Sequence, residues 1–130
     1  MIVEQIQHKF LRFCAFKLGE TIVDHDYSLI ENSLKLNTLE NRRNQVGLVF
    51  LYNLINGNLD CCDLLQCINV DIQTRNRRGD FITFYIPFHR TSYGQNSPID
   101  RYCKLINGKH IEIFNISLNM FKNNLNRVFI

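Results

Sequence analysis

The sequence PFHRTSYGQNSPIDR, residues 87–101, separates a strand-like part of the chain from a helical part. Near its end, Ser97 can cap a helix, Pro98 fits a first turn that needs no amide donor, and Asp100 favours the positive N-terminal end. The residues before Ser97 combine arginine, aromatic side chains and a turn-forming glycine, which are groups that contact phosphates and stack on bases. We therefore expect a helix start preceded by a loop with a binding role.

Upstream of this loop the sequence has the features of a β-hairpin. Residues 70–75 alternate between apolar or β-branched and polar side chains, and residues 81–86 are mostly β-branched or aromatic. Residues 76–79, Asn-Arg-Arg-Gly, are typical of a turn. The pattern predicts one inserted hairpin at about residues 70–86, with an exposed basic turn.

The rest of the chain has apolar residues at helical spacing. The first predicted helix carries an apolar stripe of Val3, Ile6, Phe10, Phe13 and Cys14. A capping-box-like pair, Asn37 and Glu40, opens the third helix. The predicted helices are residues 2–18, 26–34, 37–55, 61–67, 97–106 and 111–127. We therefore predict a single, mainly α domain over residues 1–130, with about six helices and the one hairpin.

The net charge of +3 is unevenly distributed along the sequence. Residues 1–70 hold six Lys/Arg and eight Asp/Glu, whereas residues 71–110 hold seven Lys/Arg and only three Asp/Glu. A local concentration of positive charge suits a polyanion such as a nucleic acid. A solvated basic surface without a partner explains the same pattern, so both interpretations remain open here.

Other functional classes receive little support from the residues. The five cysteines have no disulfide-framework or zinc spacing, so buried free thiols in a reducing compartment are expected. With no secretory leader and no apolar run long enough to cross a bilayer, we expect an intracellular protein, in cytoplasm or nucleus, without a membrane partner. No nucleophile, metal or phosphate-loop motif is present, so we expect no catalytic residues, metal or cofactor.

Nucleic-acid binding is the function with the most specific candidates. Arginines can contact phosphates, and Tyr93 can stack on an unpaired base. The competing interpretation is that Arg90 and Arg101 cap carbonyls or pair with Asp100, while Tyr93 fills a gap under the loop. From the residues alone neither is preferred. The candidate site residues are Arg75, Arg77, Arg78, Arg90, Tyr93 and Arg101.

Four short motifs, in order, resemble the C-terminal region, beyond the thumb, of reverse transcriptases encoded by jockey-type non-LTR retrotransposons. Residues 38–43, TLENRR, are similar to that family's SLExRR. Residues 50–57, FLYNLING, and 59–65, LDCCDLL, are similar to YKxxNG and IDxPxLL. Residues 86–98, IPFHRTSYGQNSP, resemble xPxHRTNYGxNSPI most clearly. The resemblance covers most of the chain from about Leu34 onward, with Cys62 in place of proline and Ser92 in place of asparagine.

The resemblance implies a C-terminal fragment of an RNA-directed DNA polymerase that helps to hold template RNA and primer. No Asp-Asp dipeptide occurs in the sequence, so the metal-binding carboxylates of nucleotidyl transfer are not present in these residues. The part of the polymerase that the sequence resembles does not include the endonuclease domain, so we expect none here. The chain is therefore expected not to be an enzyme on its own. Its expected partners are RNA or an RNA/DNA template-primer and the remainder of the polymerase. The alternative is a structural packing or protein-interaction domain, or a decayed remnant, that binds no nucleic acid.

Overall fold

The computed structural model describes residues 2–71 and 82–129, and in these ranges the chain forms seven helices and a two-stranded antiparallel sheet. The predicted fold class, mainly α with one small hairpin, is confirmed. The chain groups into two units, Met1–Arg43 and Asn44–Ile130. The elements are α1 (Ile2–Leu18), α2 (Ser28–Ser33), α3 (Leu39–Ile55), α4 (Cys62–Gln66), β1 (Asn69–Val70), β2 (Phe84–Tyr85), α5 (Ser92–Gln95), α6 (Pro98–Lys109) and α7 (Leu118–Phe129).

In unit 1, α1 has the predicted bounds and packs against α2. Its buried side chains are Leu11 and Ala15, which form a small core with Tyr27 and Ile30. Most of the apolar stripe noted in the sequence lies on another side of α1, where Phe13 is 58% exposed, whereas Cys14 packs against the small core. Helix α2 has only six residues and therefore covers only one of the two apolar sides of α1.

The start of α3 differs by one residue from the capping-box prediction. The side chain of Thr38, not that of Asn37, accepts a hydrogen bond from the backbone N–H of Asn41 at 3.2 Å. The end at Ile55 is as predicted, and Gly57 follows with φ of +72°. Within unit 2, a Cβ on Gly47 would overlap the ring of Tyr102, so glycine at this position lets α3 and α6 approach closely.

The sheet is short, and a side chain of α6 is hydrogen-bonded to its second strand. Val70 pairs with Phe84, and the N–H of Asp71 donates to the carbonyl of Thr83 at 3.1 Å. The side chain of Asn107 accepts from the N–H groups of Thr83 and Phe84, both at 3.0 Å, and donates to the Phe84 carbonyl at 2.8 Å. These bonds satisfy the hydrogen-bonding backbone groups of Thr83 and Phe84 at β2. The predicted turn at residues 76–79 lies outside the described residues.

The two C-terminal helices have different bounds from those predicted. Helix α6 was expected to end before Asn107, but it continues to Lys109 because Asn107 bonds to β2, and His110 provides the left-handed C-cap. The last helix starts at Leu118, not near Ile111, because Ser117 caps it by accepting from the N–H of Met120 at 3.4 Å.

The core of unit 2 is large, and its buried residues come from α3, β2, α6, residues 111–113 and α7. They are Leu48, Leu51, Tyr52, Leu54, Phe84, Ile99, Cys103, Ile106, Ile111, Ile113, Phe121, Leu125 and Phe129. Burial of such apolar side chains is the main stabilising contribution to folding.

The five cysteines are all free, but not all are buried as expected. Cys62, in α4, and Cys67, directly after it, are exposed, and α4 has no buried residue. Cys103 is buried in α6, and burial, followed by the nearby charge of Asp100, raises the pKa of its thiol to about 11. This thiol is therefore protonated, and unreactive, at neutral pH.

Candidate nucleic-acid interface

The loop singled out in the sequence, residues 87–97, is built from its own hydrogen bonds. Thr91 accepts from the N–H of Gly94 at 3.1 Å and caps the short helix α5, which the sequence analysis did not predict. The side chain of Gln95 donates to the carbonyl of His89 at 3.0 Å and closes the loop on itself. A loop with these bonds is an ordered structure with defined outward-facing side chains.

Gly94 is required by close packing inside the loop. A Cβ at this position would lie 2.8 Å from the Cβ of His89, closer than Cβ atoms in proteins come to atoms to which they are not bonded. No strained dihedral angle is involved, because Gly94 is not among the residues with positive φ. The role of this glycine is thus to make space for His89.

A second set of bonds attaches the loop to α6. His89 Nε2 lies 2.8 Å from Asp100 Oδ2, and the Ser97 hydroxyl donates to the same oxygen at 3.0 Å. Ser97 also accepts from the N–H of Asp100 at 3.4 Å, as the predicted helix cap. Lys104 Nζ donates to the carbonyl of Gln95 at 2.8 Å. Asp100 is only 7% exposed, so its carboxylate is held within the unit.

These bonds leave two predicted site residues on the outside. Tyr93 is 92% exposed and does not fill a gap under the loop. Arg90 is exposed and, within residues 2–71 and 82–129, makes no hydrogen bond or ion pair. Asp100 pairs with His89, so the competing interpretation, in which it neutralises an arginine, does not describe this structure.

Arg101, in the first turn of α6, is also exposed, and its guanidinium rests on a neighbouring ring. Its Cζ lies 5.0 Å from the ring centroid of Tyr102, and its Nη2 donates to the Tyr102 hydroxyl at 3.0 Å. Contact with an aromatic face orients a guanidinium without neutralising its charge. The remaining candidates, Arg75, Arg77 and Arg78, lie outside the described residues.

Two residues near the loop were missed as site candidates. Phe88 is 85% exposed between Pro87 and His89, and its position in a polar loop was the available signal. Lys104 brings a further cation to the loop through its bond to Gln95, and only the tertiary contact reveals it. Together with Arg90 and Tyr93, they give the loop and the start of α6 both cationic and aromatic exposed groups.

A groove lies beside the loop within unit 2. Its volume is about 650 Å³, and its lining is mostly apolar. Its walls include Phe50 and Leu64 on one part and Pro87, His89 and Asp100 on another. A groove of this size, with a few polar groups among apolar ones, is typical of small-ligand sites.

Other kinds of site find no support in the described ranges. There, no group of three His, Cys, Asp or Glu side chains is arranged to hold a metal ion. No helix of the described chain has the length and hydropathy needed to cross a bilayer.

No family model, curated protein or solved structure matches the chain. The resemblance to the retrotransposon reverse transcriptases therefore rests on the sequence motifs alone.

Proposed function

We propose that the chain is a non-catalytic nucleic-acid-binding module that holds single-stranded RNA, or the RNA of a template-primer, on the face of residues 87–101. One observation carries the proposal. The side chain of His89 bonds to Asp100 of α6 and that of Gln95 bonds to the loop backbone, whereas Arg90 and Tyr93 are exposed. Ordered loops that expose a cation and an aromatic ring match the chemistry of an unpaired, stacked nucleic-acid strand.

The exposed groups have complementary roles in this proposal. Arg90 and Arg101 contact phosphate oxygens through the guanidinium, which suits bidentate contacts with phosphate. Tyr93 offers a whole ring face for a base, a contact worth about 1–3 kcal/mol. Arg75, Arg77 and Arg78 belong to the proposal through the sequence alone.

The resemblance to the reverse transcriptases supports the same proposal. Its clearest motif, residues 86–98, is the segment that forms the ordered loop. We infer that the module acts in an RNA-directed DNA polymerase of a non-LTR retrotransposon and does not itself transfer nucleotides. Its partners in this role are the template-primer and the remainder of the polymerase.

The test is a filter-binding titration of the chain with single-stranded RNA at several salt concentrations. We expect the affinity to fall with salt, with a log–log slope that decreases in magnitude by about 0.7 for each phosphate contact removed. Arg90→Ala and Arg101→Ala should each reduce this slope. The matched control is Arg127→Ala, which removes an exposed arginine from the last turn of α7. Equal slopes for all four proteins would contradict the proposal.

The structure also offers an observation for a second candidate function, a protein-interaction domain. Exposed apolar residues of α1 recur at helical spacing along one face, which we call the α1 face; they are Ile2, Val3, Ile6, Phe10, Phe13 and Phe16. Each is at least half exposed. Together they present on the order of 700 Å² of apolar surface, close to one side of a standard interface. Surfaces of this kind favour self-association or docking on another protein.

A further inference from the structure

We propose that the groove beside the loop binds one unpaired base that carries an exocyclic amino group, adenine or cytosine in preference to uracil. The inference rests on the proposed function, because it names which strand the module selects. The groove holds about 650 Å³, well above the ~300 Å³ lower range of small-ligand pockets, so a nucleotide can enter it. Its apolar walls are Phe50, Leu64, Pro87, Pro98 and Ile99.

Two residues that line the groove have hydrogen-bonding capacity that the described part of the protein does not use. Asp100 Oδ2 is occupied by His89 and Ser97, whereas Oδ1 accepts no hydrogen bond from the residues that the structure describes. The side chain of Asn69 is exposed at the start of β1 and likewise makes no hydrogen bond in that part of the chain. Both residues line the groove.

The chemistry of these two groups selects the kind of base. A carboxylate oxygen accepts from an exocyclic amine such as N6 of adenine or N4 of cytosine, and an amide can donate to a neighbouring ring nitrogen or oxygen. Uracil offers a carbonyl oxygen where cytosine has the amine, so it would place an acceptor against Asp100 Oδ1. Guanine can donate one hydrogen bond from its N2 amine to Oδ1, but the second, parallel bond from N1 is not available because Oδ2 is already bonded.

The groove is continuous with the exposed loop. Pro87 and His89 line it, and Arg90 follows directly in the chain. A strand whose phosphate contacts Arg90 can therefore place an adjacent base in the groove. Phe50, which is 38% exposed, supplies an aromatic surface for that base.

The experiment compares oligonucleotides of about eight residues, oligo(A), oligo(C) and oligo(U), with the whole chain and two variants. Asn69→Leu removes the amide without removing a hydrogen bond seen in the described chain. Asn123→Leu, at an exposed position of α7, is the matched control. We expect oligo(A) and oligo(C) to bind about tenfold more tightly than oligo(U), and Asn69→Leu to reduce that preference about fivefold with little change for oligo(U).

The possible results separate the two proposals. Equal affinity for all three oligonucleotides, with Asn69→Leu silent but Arg90→Ala weakening binding, overturns the base-binding groove and leaves the proposed function standing. Absence of binding to any oligonucleotide overturns both. If Asn69→Leu disturbs folding, as judged by circular dichroism, Phe50→Ala removes the aromatic wall instead. Phe50→Ala should then lower the affinity for oligo(A) and oligo(C) more than the affinity for oligo(U), and uniform weakening would contradict the groove.

Discussion

The two units of this chain expose aromatic side chains in different settings. In unit 2, Tyr93 is 92% exposed on a hydrogen-bonded loop that also exposes Arg90. In unit 1, Phe16 is 80% exposed on a helix face formed mainly by apolar residues. The first setting suits a charged, planar ligand, and the second suits an apolar partner. The degree of exposure alone therefore does not define function, whereas the neighbouring groups do.

The units also differ in what stabilises them. In the described residues, the core of unit 1 contains four buried side chains, whereas that of unit 2 contains thirteen. A small core gives a low free energy of unfolding, so unit 1 is expected to open more readily than unit 2. The loop of unit 2 is attached to the more stable unit, which suits a binding site that must keep its geometry.

The largest effect is expected from core substitutions that destabilise one unit at a time. Phe84→Ala removes a fully buried ring from unit 2 and should lower the free energy of unfolding by about 3–5 kcal/mol and abolish RNA binding. Leu11→Ala destabilises unit 1 and should leave RNA binding intact. Urea denaturation followed by circular dichroism, with a parallel RNA titration, measures both. Loss of RNA affinity in folded Leu11→Ala would break the comparison.

A substitution on the α1 face tests whether that surface binds protein. If the chain self-associates through this face, Phe13→Gln should weaken the association by about 1.5–3 kcal/mol, or roughly tenfold or more. Sedimentation velocity over a range of concentrations measures the change. Val46→Gln is the control, because Val46 is 71% exposed but lies in unit 2. A monomer that binds no hydrophobic dye would remove the second candidate function.

A smaller effect is expected from the glycine inside the loop. Gly94→Ala pushes against His89 and should displace the loop, weakening RNA binding by about 1 kcal/mol, or roughly fivefold. Gly108→Ala is the matched control in α6, where a Cβ meets nothing within 4 Å. That control should raise stability by about 0.5–1 kcal/mol without altering affinity. An unchanged affinity in Gly94→Ala would show that the loop geometry does not matter for binding.

The smallest effect concerns the pH dependence of unit 1. A hydrogen bond from its own backbone, followed by the Arg43 guanidinium, lowers the pKa of Glu4 below its ordinary value of 4.5. A carboxyl with a lowered pKa contributes stability above its unfolded-state pKa, and this contribution is lost as the pH falls through the folded-state pKa. Thermal unfolding between about pH 6 and 3 should show this loss, and Glu4→Gln should reduce it. An identical pH profile for Glu4→Gln would contradict the assignment.

Much of the fold follows from local sequence signals. The bounds of α1, the end of α3 and the Ser97 cap of α6 depend on side chains close in sequence, and the predictions there agree with the structure. The continuation of α6 through Asn107 could not be predicted, because that side chain bonds to β2, more than twenty residues away. Local signals thus locate most helices but not the contacts that extend them.

The candidate site was only partly predictable, because local sequence signals do not reveal tertiary contacts. The motif around Arg90 and Tyr93 was recognisable from composition, but whether those side chains were free depended on the partner of Asp100. The sequence offered Arg90 and Arg101 as possible partners of Asp100, whereas packing in the structure selects His89. The apolar groove beside the loop combines residues from α3, α4, β1 and α6, so no single stretch of sequence indicates it.

The most direct test of the central claim is an NMR titration of the labelled chain with single-stranded RNA. We predict that chemical-shift changes will concentrate on Arg90, Tyr93 and Arg101, with little change along the α1 face. Shifts confined to the α1 face, or a titration that leaves residues 87–101 unchanged at saturating RNA, would contradict the claim that the exposed loop is the nucleic-acid interface.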